Sequence, residues 1–208
     1  MYTHLVLAAG VGSRFSETRS KLFFPFPSAE NGCLVRLISQ IHESFPSDII
    51  VLAVSLSTVV PQDILISSYI NVIKVDIQPG DNNALTVLRS YILGAFGLTR
   101  PLVIWESDIY IDSFAFHSFA QYLHRLSCSH FDILLTAIGL CPTLSDGGFI
   151  SNKQNVPYIG CRQNPLDSKL FGVTVLSSNY LPLYFANLTK FTTISNLYYF
   201  HQPFIQST

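Results

Sequence analysis

Small and basic residues cluster directly after the first apolar run of the chain. The segment LAAGVGSRF, residues 7–15, contains two glycines and Arg14, and Lys21 follows it closely. Glycines let a backbone approach an anion and point amide hydrogens at it. Arginine makes bidentate contacts with phosphate, while lysine acts as a mobile point charge. The segment therefore predicts a binding site for a polyphosphate.

Two common phosphate-binding loops do not match this segment. The dinucleotide-binding loop G-x-G-x-x-G requires a third glycine, and Phe15 stands at that position. The loop G-x-x-x-x-G-K-[ST] is absent from the sequence. A glycine turn that is flanked by surface bases and holds no ligand is the alternative interpretation.

The elements that must position this segment follow from the hydrophobic pattern. Nearly continuous apolar runs alternate with amphipathic runs up to about residue 140. This alternation is typical of a parallel sheet with helices on both faces. We therefore predict an α/β fold of three layers with a Rossmann-like, mostly parallel sheet. Strands are predicted in HLVLAA, DIIVLAVSL, NVIKVDIQ, PLVIWES and DILLTAIGL, and helices in LVRLISQIHESF, PQDILISSYI, NNALTVLRSYILGAF and FAFHSFAQYLHRL.

The pattern changes after residue 140, where the chain becomes rich in Gly, Asn and Pro. A hairpin is predicted there, followed by a returning strand in KLFGVTVLS and a last helix in NYLPLYFANL. We predict one domain, residues 1–208, with a core of residues 1–140 and a small C-terminal lobe and tail in residues 141–208. The tail residues YYF, 198–200, would stack on a ligand, pack in the core or form a homo-oligomer contact.

Composition excludes several classes of protein. Charged residues make up 12% of the chain, hydrophobic residues 49%, and the net charge is -1. These values argue against disorder and against a broad surface for nucleic acid. The longest strongly apolar run, IIVLAVSLSTVV, is short for a membrane span. Four cysteines without a C-x-x-C pair, and no signal peptide pattern, predict free thiols and a cytoplasmic protein.

The glycine segment also matches a family motif. Residues 7–15 with Lys21 fit L-A-A-G-x-G-[ST]-R-[FLM] followed by a lysine. In these residues the chain resembles the nucleotidyltransferases with a GT-A-like fold. That family includes sugar-1-phosphate nucleotidyltransferases, phosphocholine cytidylyltransferases and molybdenum-cofactor guanylyltransferases. The resemblance implies that residues 1–140 bind a nucleotide and that residues 141–208 form an acceptor lobe.

Two further segments support the resemblance. VDIQPGDNNAL lies where the family has its base-recognition segment, which implies a base contact for Gln78 and a close approach at Gly80. In LVIWESDIYID, Asp108 matches the aspartate that binds the catalytic magnesium at the end of a buried strand. The alternatives are an ordinary strand-to-helix loop and a carboxylate that caps a turn or helix, as Asp112 would do for the helix that follows it.

The resemblance implies a reaction and a set of site residues. A phosphate oxygen of the acceptor attacks the α-phosphorus of a nucleoside triphosphate, and pyrophosphate leaves. The implied acceptor is a phosphorylated small molecule, a sugar 1-phosphate or a phosphocholine-like compound, in nucleotide-sugar biosynthesis. The residues implied are Arg14 and Lys21 for catalysis, Asp108 for Mg²⁺, and Leu7, Ala8, Ala9, Gly10, Gly12, Ser13, Gln78, Gly80 and Asn83 for the nucleotide.

The C-terminal part departs from the family. The family takes a second metal-binding carboxylate from its C-terminal third, whereas no Asp or Glu follows Asp167 in this chain. Glu106, Asp112 or Asp146 would replace that carboxylate, or water, Asn179 or Asn196 would complete a weaker metal site. In the remaining alternative the chain would bind a nucleotide without turning it over. A non-catalytic, nucleotide-binding regulatory protein and a molybdenum-cofactor guanylyltransferase are therefore the alternatives.

Overall fold

The computed structural model describes residues 1–10, 32–78, 81, 83–126, 131–138, 149–153, 156–160 and 168–188. For residues 137–138, 149–153, 156–160 and 168–169 it describes the backbone only. Within these residues there are eight strands and five helices. The strands are β1 Thr3–Ala8, β2 Ile49–Ser55, β3 Ile70–Val75, β4 Leu102–Glu106, β5 Ile133–Ile138, β6 Phe149–Lys153, β7 Val156–Gly160 and β8 Ser168–Leu176, and the helices are α1 Gly32–Ser44, α2 Gln62–Leu65, α3 Asn83–Ile92, α4 Ser113–Arg125 and α5 Leu181–Leu188.

The strands form one sheet with the order β3-β2-β1-β4-β8-β6-β7, and β5 also pairs with β8. Strands β1 to β4 pair in parallel, while β8 is antiparallel to β4, β5 and β6. Since β7 is antiparallel to β6, six of the eight strands run in one direction. The predicted α/β fold with a mostly parallel sheet is confirmed.

Two apolar cores lie on opposite faces of the sheet, because alternate strand residues point to opposite faces. In β1, Val6 and Ala8 contribute to one core, while Leu5 and Leu7 contribute to the other. The first core packs against α1, α2 and α4, and the second packs against α3 and α5. The structure therefore has the three predicted layers.

The position of β5 differs from the simplest parallel arrangement. Its sequence, like that of the first four strands, is apolar, but β8 lies between β4 and β5. Residues Leu102–Trp105 of β4 pair with Val173–Leu176 of β8. The returning strand predicted in KLFGVTVLS thus closes the parallel half of the sheet, and the hairpin of β6 and β7 continues from it.

Local signals in the sequence fix several helix ends. Asp112 caps α4, since its side chain accepts hydrogen bonds from the backbone N–H groups of Phe114 and Ala115 at 3.0 and 2.9 Å. Gly94 follows α3 with φ of 69°, a conformation that suits glycine. None of the helices in the described ranges has both the length and the apolar character needed to cross a bilayer.

A buried polar network within the first core links β1, β4 and the residue directly before β2. His4 is fully buried, its Nε2 lies 3.2 Å from Asp48 Oδ2, and Trp105 Nε1 donates to its Nδ1 at 3.2 Å. Burial lowers the pKa of His4, although Asp48 acts in the opposite direction. Since Nδ1 accepts a hydrogen bond from Trp105, it carries no proton, so His4 is neutral and its Nε2–H donates to Asp48.

Candidate active site at the carboxyl ends of β1 and β4

The chain changes direction across the sheet at β1. Strands β2 and β3 lie on one side of β1, and β4 lies on the other, so the strand order reverses at β1. Helix α1 packs on the face of the first core, and α3 packs on the opposite face. Strands β2 and β4 both pair with β1 in parallel, so the carboxyl ends of these three strands meet at one edge of the sheet. Ligands of open α/β sheets bind outside the carboxyl ends of the strands, where the strand order reverses. We call this region the β1–β4 crevice.

The ends of β1 and β4 are in register at this crevice. Leu7 is paired with Glu106, and the backbone N–H of Ser107 donates to the carbonyl oxygen of Leu7 at 3.3 Å. Gly10 is exposed, and a Cβ added there would meet no atom within 4 Å. Asp108 is exposed and lies two residues beyond Glu106. The start of the glycine segment and the Asp108 carboxylate therefore occur at adjoining strand ends.

The charges of Asp108 and Arg36 both act on Cys33, which lies in the first turn of α1. Burial raises the pKa of the Cys33 thiol, the negative charge of Asp108 raises it further, and Arg36 acts in the opposite direction. Cys33 is 9% exposed, whereas Asp108 is open to solvent. The Asp108 carboxylate is thus near enough to the start of α1 to act on it electrostatically.

The Glu106 side chain lies on the face of the sheet that α3 covers. Asn83 Nδ2, at the start of α3, donates to Glu106 Oε1 at 2.8 Å. Gly172 of β8 has φ of 60°, and a Cβ added there would lie 2.9 Å from Glu106 Oε2 and 2.8 Å from Ile109 Cγ2. The missing side chain of Gly172 therefore leaves the space that the half-buried Glu106 carboxylate fills.

The segment before α3 is organised by one carboxylate. Asp81 Oδ2 accepts from the backbone N–H of Gln78 at 2.9 Å and from Arg89 Nη1 at 2.5 Å. The Gln78 hydrogen bond, followed by that of Arg89, lowers the pKa of Asp81. Gln78 is exposed, and its Nε2 donates to Asp76 Oδ1 at 2.8 Å. The amide predicted to meet a base is thus held at the surface by its own segment.

The donor set of the crevice suits a hard cation that also binds phosphate. Asp108 offers an exposed carboxylate, and Mg²⁺ is usually held by one or two carboxylates together with substrate phosphates. In the described ranges no three His, Cys, Asp or Glu side chains come together as a metal-binding group. Asp112 is the helix cap of α4, so its side chain already has backbone partners.

A separate groove of about 230 Å³ lies at the other end of α1. It is lined by Glu43 and Ser44 of α1 and by residues of α4, including His117 and His124. His124 Nε2 lies 3.1 Å from the carbonyl oxygen of Ser44, and His117 Nε2 lies 2.8 Å from Gln121 Nε2. This groove is not part of the crevice beside Asp108.

The structure brings part of the predicted site together. Leu7, Ala8, Ala9, Gly10, Asn83 and Asp108 lie at the carboxyl edge of the sheet, and Gln78 follows β3 at the same edge. Gly12, Ser13, Arg14, Lys21 and Gly80 lie outside the described residues. The functional roles of all these residues stay predictions.

Sequence reasoning did not find two residues of the crevice. Arg36 lies inside the amphipathic pattern of α1, and Gly172 lies inside an apolar strand. An isolated glycine in a strand suggests close approach of another group, which was the one available signal for Gly172. Arg36 carries no such signal, because its contacts with Ser113 and Tyr110 join residues more than 70 positions apart.

Comparison with solved structures shows a shared fold. The inositol-1-phosphate CTP transferase from T. maritima matches with a TM-score of 0.73 at 19% identity, covering 100% of this chain and 82% of that chain. A protein from Bacillus anthracis assigned as a glucose-1-phosphate thymidylyltransferase, in complex with a sucrose, has a TM-score of 0.67 at 13% identity, covering 92% and 76%. A UDP-glucose pyrophosphorylase complexed with UDP-glucose has a TM-score of 0.62 at 13% identity, covering 100% and 88%.

No protein-family model and no curated protein sequence matches the chain. The likeness is therefore one of structure, at identities that establish a common architecture. The chain shares the fold of these solved structures, as the motif after its first strand predicts.

Proposed function

We propose that this protein transfers a nucleoside monophosphate from a nucleoside triphosphate to a phosphorylated small molecule and releases pyrophosphate. The observation that carries this proposal is the placement of Gly10 and Asp108 at adjoining strand ends in the β1–β4 crevice. A glycine turn with basic residues binds phosphates, and a facing carboxylate suits the accompanying cation.

The acceptor class is suggested by the structures that share the fold. Their names specify inositol 1-phosphate, glucose 1-phosphate and UDP-glucose. Each contains a phosphorylated sugar or cyclitol, so we propose a sugar 1-phosphate or a close analogue as the acceptor here. The same names include thymidylyl, cytidine and uridine nucleotides, so the base must be found by experiment.

The chemistry requires positioning rather than a strong base. An anionic oxygen of the acceptor phosphate forms a bond to the α-phosphorus, and the bond from that phosphorus to the bridging oxygen of pyrophosphate breaks. We assign Arg14 and the amides of the glycine segment to the β- and γ-phosphates, and Lys21 to the α-phosphate or acceptor phosphate. Such transfers depend on orientation and on stabilising the charge that develops.

Asp108 would hold the magnesium ion. A bound Mg²⁺ would neutralise negative charge on the phosphates of the substrate. The protein contributes the carboxylate at the end of β4 and the first turn of α1 beside it. Glu106 is oriented by Asn83 on the α3 side of the crevice, where it would border the nucleoside.

The direct test measures pyrophosphate release. The purified chain is given Mg²⁺ and each of the four nucleoside triphosphates, with and without a panel of sugar 1-phosphates and phosphocholine. The proposal predicts release with one nucleotide and only when an acceptor is present. Arg14→Ala is expected to abolish the thermal shift caused by the triphosphate while leaving the melting temperature of the free protein unchanged.

One alternative function has an observation in its favour. No Asp or Glu follows Asp167 in the sequence, and the described ranges contain no group of three metal-binding side chains. A nucleotide-binding regulatory protein would show the thermal shift with nucleotide but release no pyrophosphate with any acceptor. The two measurements together therefore separate an enzyme from a nucleotide sensor.

A further inference from the structure

Helix α1 makes two contacts with the loop that carries Asp108 and one contact with Ser113, the first residue of α4. Arg36 Nη2 donates to Ser113 Oγ at 3.3 Å, and Arg36 Cζ lies 4.8 Å from the centre of the Tyr110 ring. Gln40 Nε2 donates to the carbonyl oxygen of Ile111 at 3.3 Å. Residues at i and i+4 share a helix face, so Arg36 and Gln40 contact the loop side by side.

The loop from residue 107 to residue 112 is fixed at both ends. At one end the N–H of Ser107 donates to the carbonyl oxygen of Leu7. At the other end Asp112 caps α4. Ile109 and Ile111 pack against the first core and tie the loop to the body of the protein. The loop would therefore stay attached to the protein without Arg36.

Arg36 adds a directional restraint in the middle of the loop. Its guanidinium lies against the Tyr110 ring, an attraction that fixes the ring and the backbone near it. Tyr110 is two residues after Asp108 and is 44% exposed. Tyr110 is thus the point at which the Arg36 cation contacts the loop, two residues from the Asp108 carboxylate.

We propose that Arg36 is a positioning residue that holds the β4–α4 loop so that the Asp108 carboxylate faces the β1–β4 crevice. This inference rests on the proposed function for its catalytic consequence, but the restraint on the loop is testable without activity. Small displacements of a catalytic group lower rates strongly, since reacting groups must be held in a precise geometry. Arg36 itself touches no reacting atom in this proposal.

The test compares Arg36→Met, Arg36→Lys and Arg125→Met. Methionine keeps the aliphatic length of arginine and removes the charge and the donors, whereas lysine keeps the charge without the planar group. Arg125 is an exposed arginine in the last turn of α4 and serves as the matched control. Hydrogen–deuterium exchange is followed at the amides of residues 108–112, and steady-state rates are measured with the nucleotide and acceptor that support transfer.

Arg36→Met is expected to speed exchange in residues 108–112 by about fivefold or more, while exchange in β1 and β2 stays unchanged. Its kcat should fall about tenfold with KM for the nucleotide altered by less than about twofold. Arg36→Lys should recover part of both effects, and Arg125→Met should match the wild type. Equal exchange in Arg36→Met and wild type would overturn the proposal, as would faster exchange with an unchanged kcat.

Failure of the proposed function gives a different result. A wild-type protein that releases no pyrophosphate with any acceptor would contradict the transfer reaction, whatever the exchange rates are. The exchange measurement would then still decide whether Arg36 restrains the Asp108 loop. The two proposals therefore fail separately.

Discussion

Asn83 Nδ2 donates a 2.8 Å hydrogen bond to Glu106 Oε1 and so joins the first residue of α3 to the last residue of β4. The bond crosses one side of the β1–β4 crevice. It gives Glu106 a fixed orientation and uses the amide of a residue that was predicted to meet the nucleotide. Asn83 therefore connects α3 to β4 and is also one of the residues predicted to bind the nucleotide.

A double-mutant cycle measures the strength of this bond. Asn83→Ala is expected to lower the free energy of unfolding by about 1.5 kcal/mol, because the half-buried carboxylate loses a donor. Glu106→Ala removes the acceptor and leaves the Asn83 amide without this partner, so its effect should be of similar size, about 1.5 kcal/mol. Urea denaturation of the two single variants and the double variant should give a coupling of about 1 kcal/mol. Strictly additive effects would show that the two side chains do not interact in solution.

The close approach of Gly172 to Glu106 can be tested by comparing alanine substitutions at three glycines. Gly172→Ala should lower the free energy of unfolding by about 2 kcal/mol, because it combines a φ of 60° with contacts under 3 Å to Glu106 and Ile109. Gly94→Ala meets open space at φ of 69° and should cost about 1 kcal/mol.

Gly97→Ala is the control for this series. A Cβ there would meet only Thr99 Oγ1, at 4.0 Å, so we expect a change within about 0.5 kcal/mol. Chemical denaturation of the three variants checks the order. If Gly172→Ala were as stable as Gly97→Ala, the close approach of β8 to Glu106 would be wrong.

The buried His4 predicts how stability changes with pH. Burial lowers the pKa of His4 in the folded state, so the unfolded chain binds a proton first as the pH falls. Stability should therefore decrease as the pH falls through about 6.5, with a slope that approaches about 1.4 kcal/mol per pH unit. Burial raises the pKa of Asp48, but hydrogen bonds from His4 and from the Tyr2 backbone outweigh it, so that the pKa is lowered. Protonation of Asp48 therefore lowers the free energy of unfolding further at more acidic pH.

His4→Gln should remove the step near pH 6.5, although the variant is less stable than the wild type at pH 7. His117→Gln, which changes an exposed histidine of α4, should keep the wild-type pH profile. Urea midpoints between pH 5 and pH 8 make the comparison. A His4→Gln profile parallel to that of the wild type would place the titration on another group.

The role of Asp81 leads to a prediction for VDIQPGDNNAL, the segment that is predicted to recognise the base. Asp81 accepts hydrogen bonds from the backbone N–H of Gln78 and from Arg89. Asp81→Ala should therefore make the backbone at Gln78, and with it the Gln78 side chain, more mobile, while the Asp108 carboxylate is unchanged. We expect KM for the preferred nucleotide to rise about fivefold, selectivity among bases to fall, and kcat to change little. Competition between the four nucleoside triphosphates measures the selectivity. Unchanged selectivity would remove this segment from the base site.

Much of the architecture follows from the sequence because local signals agree with the hydrophobic pattern. The cap at Asp112, the break at Gly94 and the apolar runs of β1 to β4 each specify their own element. The neighbours of β5 and β8 do not follow in this way. Both strands are apolar, and their pairing is decided by contacts between distant parts of the chain.

The same limit applies to the site. The glycine segment and Asp108 are visible in the sequence because each follows a buried strand. The contacts of Arg36 with Ser113, of Asn83 with Glu106 and of Glu106 with Gly172 depend on strand register and helix placement. No short-range pattern encodes them, so the residues that orient the carboxylates are found only in the folded structure.

Asp108→Asn tests the central claim most directly, with Asp63→Asn, an exposed carboxylate of α2, as the matched control. Pyrophosphate release is measured with Mg²⁺, nucleotide and acceptor, and melting temperatures verify folding. The account predicts that Asp108→Asn loses about a hundredfold or more in rate with an unchanged melting temperature, while Asp63→Asn matches the wild type. Full activity in folded Asp108→Asn would contradict a metal-binding carboxylate at the end of β4.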